Sequence, residues 1–233
     1  MNTPQPPHAS VLPRTLEPEP MDDATEVQEY QQMDHQGVNS AFVDDLIAGG
    51  TVGPRVIDLG CGTALIPILL CQKQSDVEVV GVDSSVEMLE AARIEIELGS
   101  VTGRVHLEHA DCKVLEGFQD AAANTVISNT MLHHVAEPAR VVAQAFRVLA
   151  PGGRLFLRDL VRPATEAEVE ALVTLHAEGE TDYARQLLRQ SLHAALTVAE
   201  IADIAAGHDI PAEAIRMTSD RHWTLDWIKP DAI

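Results

Sequence analysis

The sequence predicts a doubly wound α/β domain, and three observations predict it. Short apolar runs alternate with helical stretches through the middle of the chain. The first run ends in two glycines one residue apart, and carboxylates follow the second and third runs. Alternation at this spacing implies parallel strands joined by right-handed helical crossovers. Composition agrees: hydrophobic residues make up 45% of the 233 and aromatics only 3%. The core is therefore aliphatic, which suits parallel strands covered on both faces. The length suits one sizeable core and is short for two full domains.

Taken in order, residues 1–26 read as a disordered tail, rich in Pro, Glu, Thr and Asp and without an apolar period. Residues 27–233 read as one domain with an N-terminal lid over 27–50. A polar stretch carrying Tyr30, Asp34 and His35 leads into a helix over Ala41–Ile47, with Asn39 as its N-cap and Gly49-Gly50 as its end. Arg55–Leu59 is the first strand. Gly60-Cys61-Gly62-Thr63 then turns into a helical run through Leu70, whose start Pro67 limits or whose axis it bends. Val77–Val82 is the second strand, closed by Asp83 and Ser84, and Val86–Leu98 has helical period. Val105–His109 is the third strand and ends at Ala110-Asp111-Cys112; Thr125–Ser128 is the fourth, closed by Asn129. Pro138–Leu149 is helical, Pro151-Gly152-Gly153 is a turn, and Arg154–Leu157 begins the fifth strand. A helical insertion fills 161–206. In it Thr165 and Thr197 each precede a glutamate by three residues, Glu168 and Glu200, as a capping box requires. Thr181–Ala195 lies between these two helices. Ile215–Ser219 and Trp223–Ile228 read as a C-terminal hairpin through Asp220-Arg221-His222.

Charge narrows the partners. Thirty-six Asp and Glu against sixteen Lys and Arg leave a formal net charge of -20. Such a surface repels phosphate backbones and anionic bilayers, so a small-molecule substrate is expected, with no nucleic acid and no membrane. The three cysteines, Cys61, Cys71 and Cys112, form no CxxC pair and no zinc-like spacing, and their odd number argues against a disulfide framework. No metal is expected. No basic segment followed by an apolar run opens the chain, so a cytoplasmic protein is the default reading.

The glycine turn carries the chemistry. After Val56-Ile57-Asp58-Leu59, Gly60 and Gly62 allow a tight turn and close approach of a ligand to the backbone. The turn lacks the third glycine of a dinucleotide fingerprint, since Ala64 and Leu65 follow Thr63, and lacks the Gly-Lys-Ser/Thr ending of a phosphate loop. Asp58 would oppose a pyrophosphate. A carboxylate beside backbone N–H groups matches instead the amine and carboxylate of an amino-acid moiety. Asp83, at the end of the second strand, can accept from two ribose hydroxyls. Asp111 can accept from an adenine amino group, and Cys112 can offer a backbone N–H to the ring.

With these residues in hand, the chain resembles the class I S-adenosylmethionine-dependent methyltransferases over about Phe42–Leu160. The family's glycine-rich motif looks like Val56–Ala64, its acidic residue after the second strand like Asp83, and its third motif like Asp111-Cys112. The segment after its fourth strand looks like Ser128-Asn129-Thr130-Met131-Leu132-His133-His134-Val135. The turn before its fifth strand looks like Leu149–Leu155. The resemblance implies a Rossmann-like seven-stranded sheet with the last strand antiparallel. It also implies S-adenosyl-L-methionine as cofactor, leaving as S-adenosyl-L-homocysteine. The cofactor-binding set is then Asp58, Gly60, Cys61, Gly62, Asp83, Ser84, Asp111, Cys112 and Asn129, with the amino-acid moiety at Asp58–Gly62.

Methyl transfer from a sulfonium needs alignment and exclusion of water, and a base only where the nucleophile must lose a proton. His133 is the candidate base and Asn129 a candidate contact to the reacting groups. Tyr30, Asp34, His35, His134, Arg158 and Trp223 are candidate substrate contacts. For Trp223 a place in the core competes with a place on the substrate wall. The reading is an enzyme that methylates O, N or C of a small molecule, as monomer or homodimer. Its alternatives are a cofactor-binding regulator without catalysis, a protein methyltransferase, and, against the glycine pattern, a dinucleotide oxidoreductase. The acceptor itself is not legible at this stage.

Overall fold

Strands that must be buried on both faces account for the middle of the molecule. In the computed structural model, which describes residues 12–17 and 36–231, β1 (Arg55–Leu59), β2 (Glu78–Asp83), β3 (Val105–His109), β4 (Ala123–Asn129) and β5 (Leu149–Leu160) pair in parallel. With β6 (Ile215–Met217) and β7 (His222–Ile228) they form a seven-stranded sheet of order β3-β2-β1-β4-β5-β7-β6. β7 runs antiparallel to both β5 and β6. The antiparallel last strand and the doubly wound order are those the sequence implied.

Alternation along each strand feeds two cores. Val56, Ile127 and Phe156 face one side, where they meet Phe42 of α1 (Gln36–Ala48), Ile68 of α2 (Leu65–Lys73) and Ala92 of α3 (Val86–Leu98). Ile57, Val126, Leu155 and Leu157 face the other, against Val142 of α4 (Pro138–Val148) and Ile201 of α7 (Val198–Ala206). α5 (Glu166–His176) and α6 (Asp182–Ala194) close a smaller cluster of Val169, Val173 and Leu192 on Leu160. Thr165 and Thr197 each form the capping box expected of them.

Two buried arginines of β5 tie α1 to the sheet. The Arg154 guanidinium donates to both oxygens of Asp226, at 2.7 and 2.9 Å, and to the Leu46 carbonyl at 2.7 Å. Arg158 donates to Asp45 at 2.6 Å and to the Thr224 hydroxyl at 2.8 Å, and lies over the Phe42 and Phe156 rings.

The structure corrects the element boundaries in three places. α1 begins at Gln36, so Asn39 lies inside the helix and not at its cap. Pro151-Gly152-Gly153 does not separate helix from strand: α4 runs directly into β5. Ala150–Gly153 bulge between Leu149, paired with Ala123, and Arg154, paired with Thr125. A bulge leaves its extra residues out of the ladder, so Pro151 costs no ladder hydrogen bond there. The third correction concerns the expected tail. Within it, residues 12–17 lie against the fold, with Leu12 packed on the α5–α6 cluster and the Thr15 N–H donating to the His193 carbonyl at 3.1 Å. The rest of 1–26 lies outside the described residues, as do 27–35 of the expected lid.

Trp223 is fully buried in the core between β5, β7 and the α4–α7 layer. Trp223→Ala is therefore expected to cost about 3–5 kcal/mol of stability, read as a lower urea midpoint at unchanged slope.

Candidate active site

The carboxyl ends of β1, β2 and β4 open onto a cavity of about 410 Å³, where the fold class places a ligand. Asp58, Gly60, Cys61, Gly62, Asp83, Ser84, Asp111, Cys112, Asn129 and His134 all line it. Distant motifs of the sequence thus meet in one place.

The turn after β1 is held by the next strand. Gly60 and Gly62 sit at φ 70° and 53°, a left-handed conformation that costs glycine little. A Cβ on Gly60 would fall 2.2 Å from Met131 Cγ, so only hydrogen fits. The Gly60 and Cys61 N–H groups donate to the Val82 carbonyl at 2.8 and 3.0 Å, and the Gly62 N–H donates to Asp83 Oδ2 at 2.8 Å. These bonds brace the loop against β2. Thr63 of the turn and Leu65 and Ile66 of the first turn of α2 also line the cavity, where the start of a helix has backbone N–H groups to offer an anion. Asp83 Oδ1 accepts from the Ser85 N–H at 2.9 Å, so each Asp83 oxygen keeps one lone pair for a hydroxyl.

Two polar groups of the cavity have no partner among the described residues. Asp58 is buried, and no described cation or hydrogen-bond donor pairs with it. Burial first, and the charge of Asp83 second, push its carboxyl well above the usual carboxylate range. Asn129 Oδ1 is buried without a hydrogen-bond partner among the described residues. Both are acceptors, and both fit a cationic or hydroxyl-bearing ligand. Asp111 Oδ1 accepts from the Lys113 N–H at 2.8 Å. Burial pushes the Cys112 thiol up to about 12 and the Cys61 thiol well above its ordinary value. These thiols are neutral packing surface, not nucleophiles.

The two histidines divide their work. They form a short 3-10 turn, Leu132–His134, after β4. His134 lines the cavity, while His133 is 3% exposed and does not. His133 Nδ1 lies 2.6 Å from Asp159 Oδ1, and its N–H donates to Asp159 Oδ2 at 3.1 Å. Burial works to lower His133, but the Asp159 charge and hydrogen bond outweigh it and raise the imidazole overall. His134 Nδ1 instead contacts the Glu17 carboxylate. Burial works to raise Glu17, and the His134 bond and charge hold it below its ordinary value. Glu17 comes from the docked segment. There the Arg14 guanidinium donates to the carbonyls of Ala194, His133 and Val135 at 2.6, 3.1 and 2.9 Å.

Two further candidates lie away from the cavity. Arg158 points under α1 and Trp223 into the core, and neither lines the cavity. Tyr30, Asp34 and His35 lie outside the described residues. Cavity residues that the sequence did not single out for the site include Asn39, Lys113, Met131 and Glu137. The segment around Met131 was in view as a motif, but its contact with Gly60 is visible only in three dimensions.

Comparison with known proteins agrees with this geometry. Residues 51–215 match a family model described as a methyltransferase domain. The chain is 36% identical over 119 residues to 27-O-demethylrifamycin SV methyltransferase of Amycolatopsis mediterranei, covering 51% of this chain and 43% of that protein. It is 28% identical over 169 residues to ubiquinone biosynthesis O-methyltransferase of Psychrobacter cryohalolentis, covering 70% and 65%. The chain thus spans 43% to 65% of the length of these curated relatives. A crystal structure of a SAM dependent methyltransferase from Aquifex aeolicus shares the fold, with a TM-score of 0.62 at 14% identity over 88% of this chain and 98% of that one. Among the described residues no helix is long and apolar enough to cross a membrane.

Proposed function

The chain belongs to the class I S-adenosylmethionine-dependent methyltransferases, and we propose that it methylates a hydroxyl oxygen of a small molecule, with the cofactor held at the ends of β1, β2 and β4. The observation that carries the cofactor assignment is two buried acceptors, Asp58 and Asn129 Oδ1, which have no partner among the described residues and share one cavity with Asp83 and Asp111. When bound, the cofactor supplies a methyl group activated on a sulfonium. Asp58 takes the cationic amine, and the first turn of α2 faces the carboxylate. Asp83 accepts from the ribose hydroxyls while still bracing the loop, and Asp111 faces the adenine amino group. Met88 and Cys112 give the ring an apolar wall.

His134 supports the choice of a hydroxyl. The residue lines the cavity with Val135 and Ala136. With Nδ1 held by Glu17, the other ring nitrogen is left to receive the proton that a hydroxyl gives up. One of the relatives named above is an O-methyltransferase by name, and the other is named as the methyltransferase of a 27-O-demethyl compound. That likeness supports oxygen over nitrogen or carbon.

Calorimetry on the purified chain tests the cofactor assignment. S-adenosylmethionine and S-adenosylhomocysteine are expected to bind with micromolar constants and NAD not at all. Binding of NAD alone would overturn the reading. A panel of small phenols and alcohols with labelled cofactor then tests oxygen transfer, and label appearing only on amines would refute the hydroxyl.

A further inference from the structure

One cluster is left over after the cofactor site is assigned. Glu17, His133 and His134 each offer one ligand atom, and these atoms lie within 4.8 Å of one another. Two imidazoles and one carboxylate are a donor set that borderline divalent transition metals take readily. The surroundings match too. His133 has Nδ1 committed to Asp159 at 2.6 Å, which fixes the tautomer and leaves Nε2 for a metal. A carboxylate behind a ligating histidine is the usual outer-shell arrangement. Glu17 Oε1 is likewise steadied by the Ser191 hydroxyl at 2.6 Å.

We propose that Glu17, His133 and His134 form a binding site for a divalent transition metal of the zinc class, made only when the N-terminal segment docks on the turn after β4. Donors around tetrahedral zinc stand about 3.3 Å apart, so the cluster must tighten. The Glu17 side chain can supply that movement, because it comes from a segment outside the sheet. The Arg14 guanidinium is the cation that counts against the site. It is engaged by backbone carbonyls, and the carboxylates of Glu17 and Asp159 stand against its charge. Magnesium and calcium are disfavoured, since they prefer oxygen-rich shells.

The metal and the proposed methyl transfer compete for one imidazole. Once His134 ligates a metal through either nitrogen, it can no longer accept the acceptor's proton, so the metal-loaded chain is inactive in that transfer. Binding itself does not depend on the methyl-transfer reading.

The test is titration of zinc into the untagged full chain by calorimetry, with magnesium as control and cobalt absorption to report the ligand field. One equivalent of zinc is expected, with micromolar affinity or tighter, and visible cobalt bands of a low-coordinate site. Glu17→Gln and His134→Gln should each weaken zinc at least about tenfold, with parental melting curves. Absence of saturable zinc binding, or parental affinity in both variants, would overturn the site. Zinc that binds with these sensitivities but leaves methyl transfer intact would uphold the site and remove His134 as proton acceptor.

Discussion

Asp58→Asn is expected to melt at a higher temperature than the parent without cofactor and to bind S-adenosylmethionine far more weakly. Both effects come from one buried carboxylate. Without ligand, Asp58 is desolvated, faces the Asp83 charge and has no described cation beside it, which pushes its carboxyl well above the usual range. A group raised in the folded state contributes stability that is full below its unfolded value and lost as pH rises through the folded one. At neutral pH the ligand-free chain has thus lost part of the stability it has in acid, and the amide, which does not titrate, avoids that loss. At this chain length each kcal/mol gained raises the midpoint by roughly 2–4 °C. The cofactor's amine reverses the sign. Removing one partner of a buried charged pair costs about 2–5 kcal/mol, or roughly thirtyfold or more in affinity. Scanning calorimetry across pH separates the parts. The ligand-free parent should lose stability as pH rises through the acid range, and Asp58→Asn should show less of that loss. Parental cofactor binding should weaken as pH falls through the raised Asp58 value. A variant that melts lower and binds as before would place the amine elsewhere.

The gathering of these residues in one cavity was legible because they sit at or near strand ends. Asp83 and Asn129 close their strands, Asp58 stands one residue before the end of β1 and Asp111 two past the end of β3, and parallel strands bring such ends to one edge of the sheet. Period and topology together then place them without any knowledge of side-chain packing. The acceptor side was less legible for the same physical reason. Arg158 and Asp159 are neighbours on β5, so the pleat sends one toward α1 and the other toward His133. Which face matters depends on the layers above each. His133 and His134 share a single 3-10 turn, too short for any period to tell the cavity side from the buried one. Glu17 and Arg14 lie in a stretch whose composition is that of a tail. Their place comes from carbonyls of the Leu132–Val135 turn and of Ala194, far along the chain, and from nothing local.

His134→Ala is expected to lower kcat on a hydroxyl acceptor by about 10²- to 10⁴-fold, the range spanned by general bases, while cofactor affinity changes little. The contrast follows from the wall that each residue builds. Asp58, Asp83 and Asp111 are the residues proposed to hold the cofactor. His134 lines the same cavity with Val135 and Ala136, on the turn after β4. Deleting the imidazole removes the proton acceptor and leaves the loop bracing between Gly62 and Asp83 untouched. Glu17→Gln should cost less than deletion of the imidazole itself, because Glu17 acts through His134. His133→Ala is a poor substitute test, since that ring is buried and its loss strands the Asp159 carboxylate in the interior, where an unpaired charge destabilises the fold. The decisive comparison is therefore single-turnover methyl transfer by parent and His134→Ala at saturating cofactor. Equal rates would show that the acceptor arrives already ionised or needs no base, and would shift the site's contribution to alignment alone.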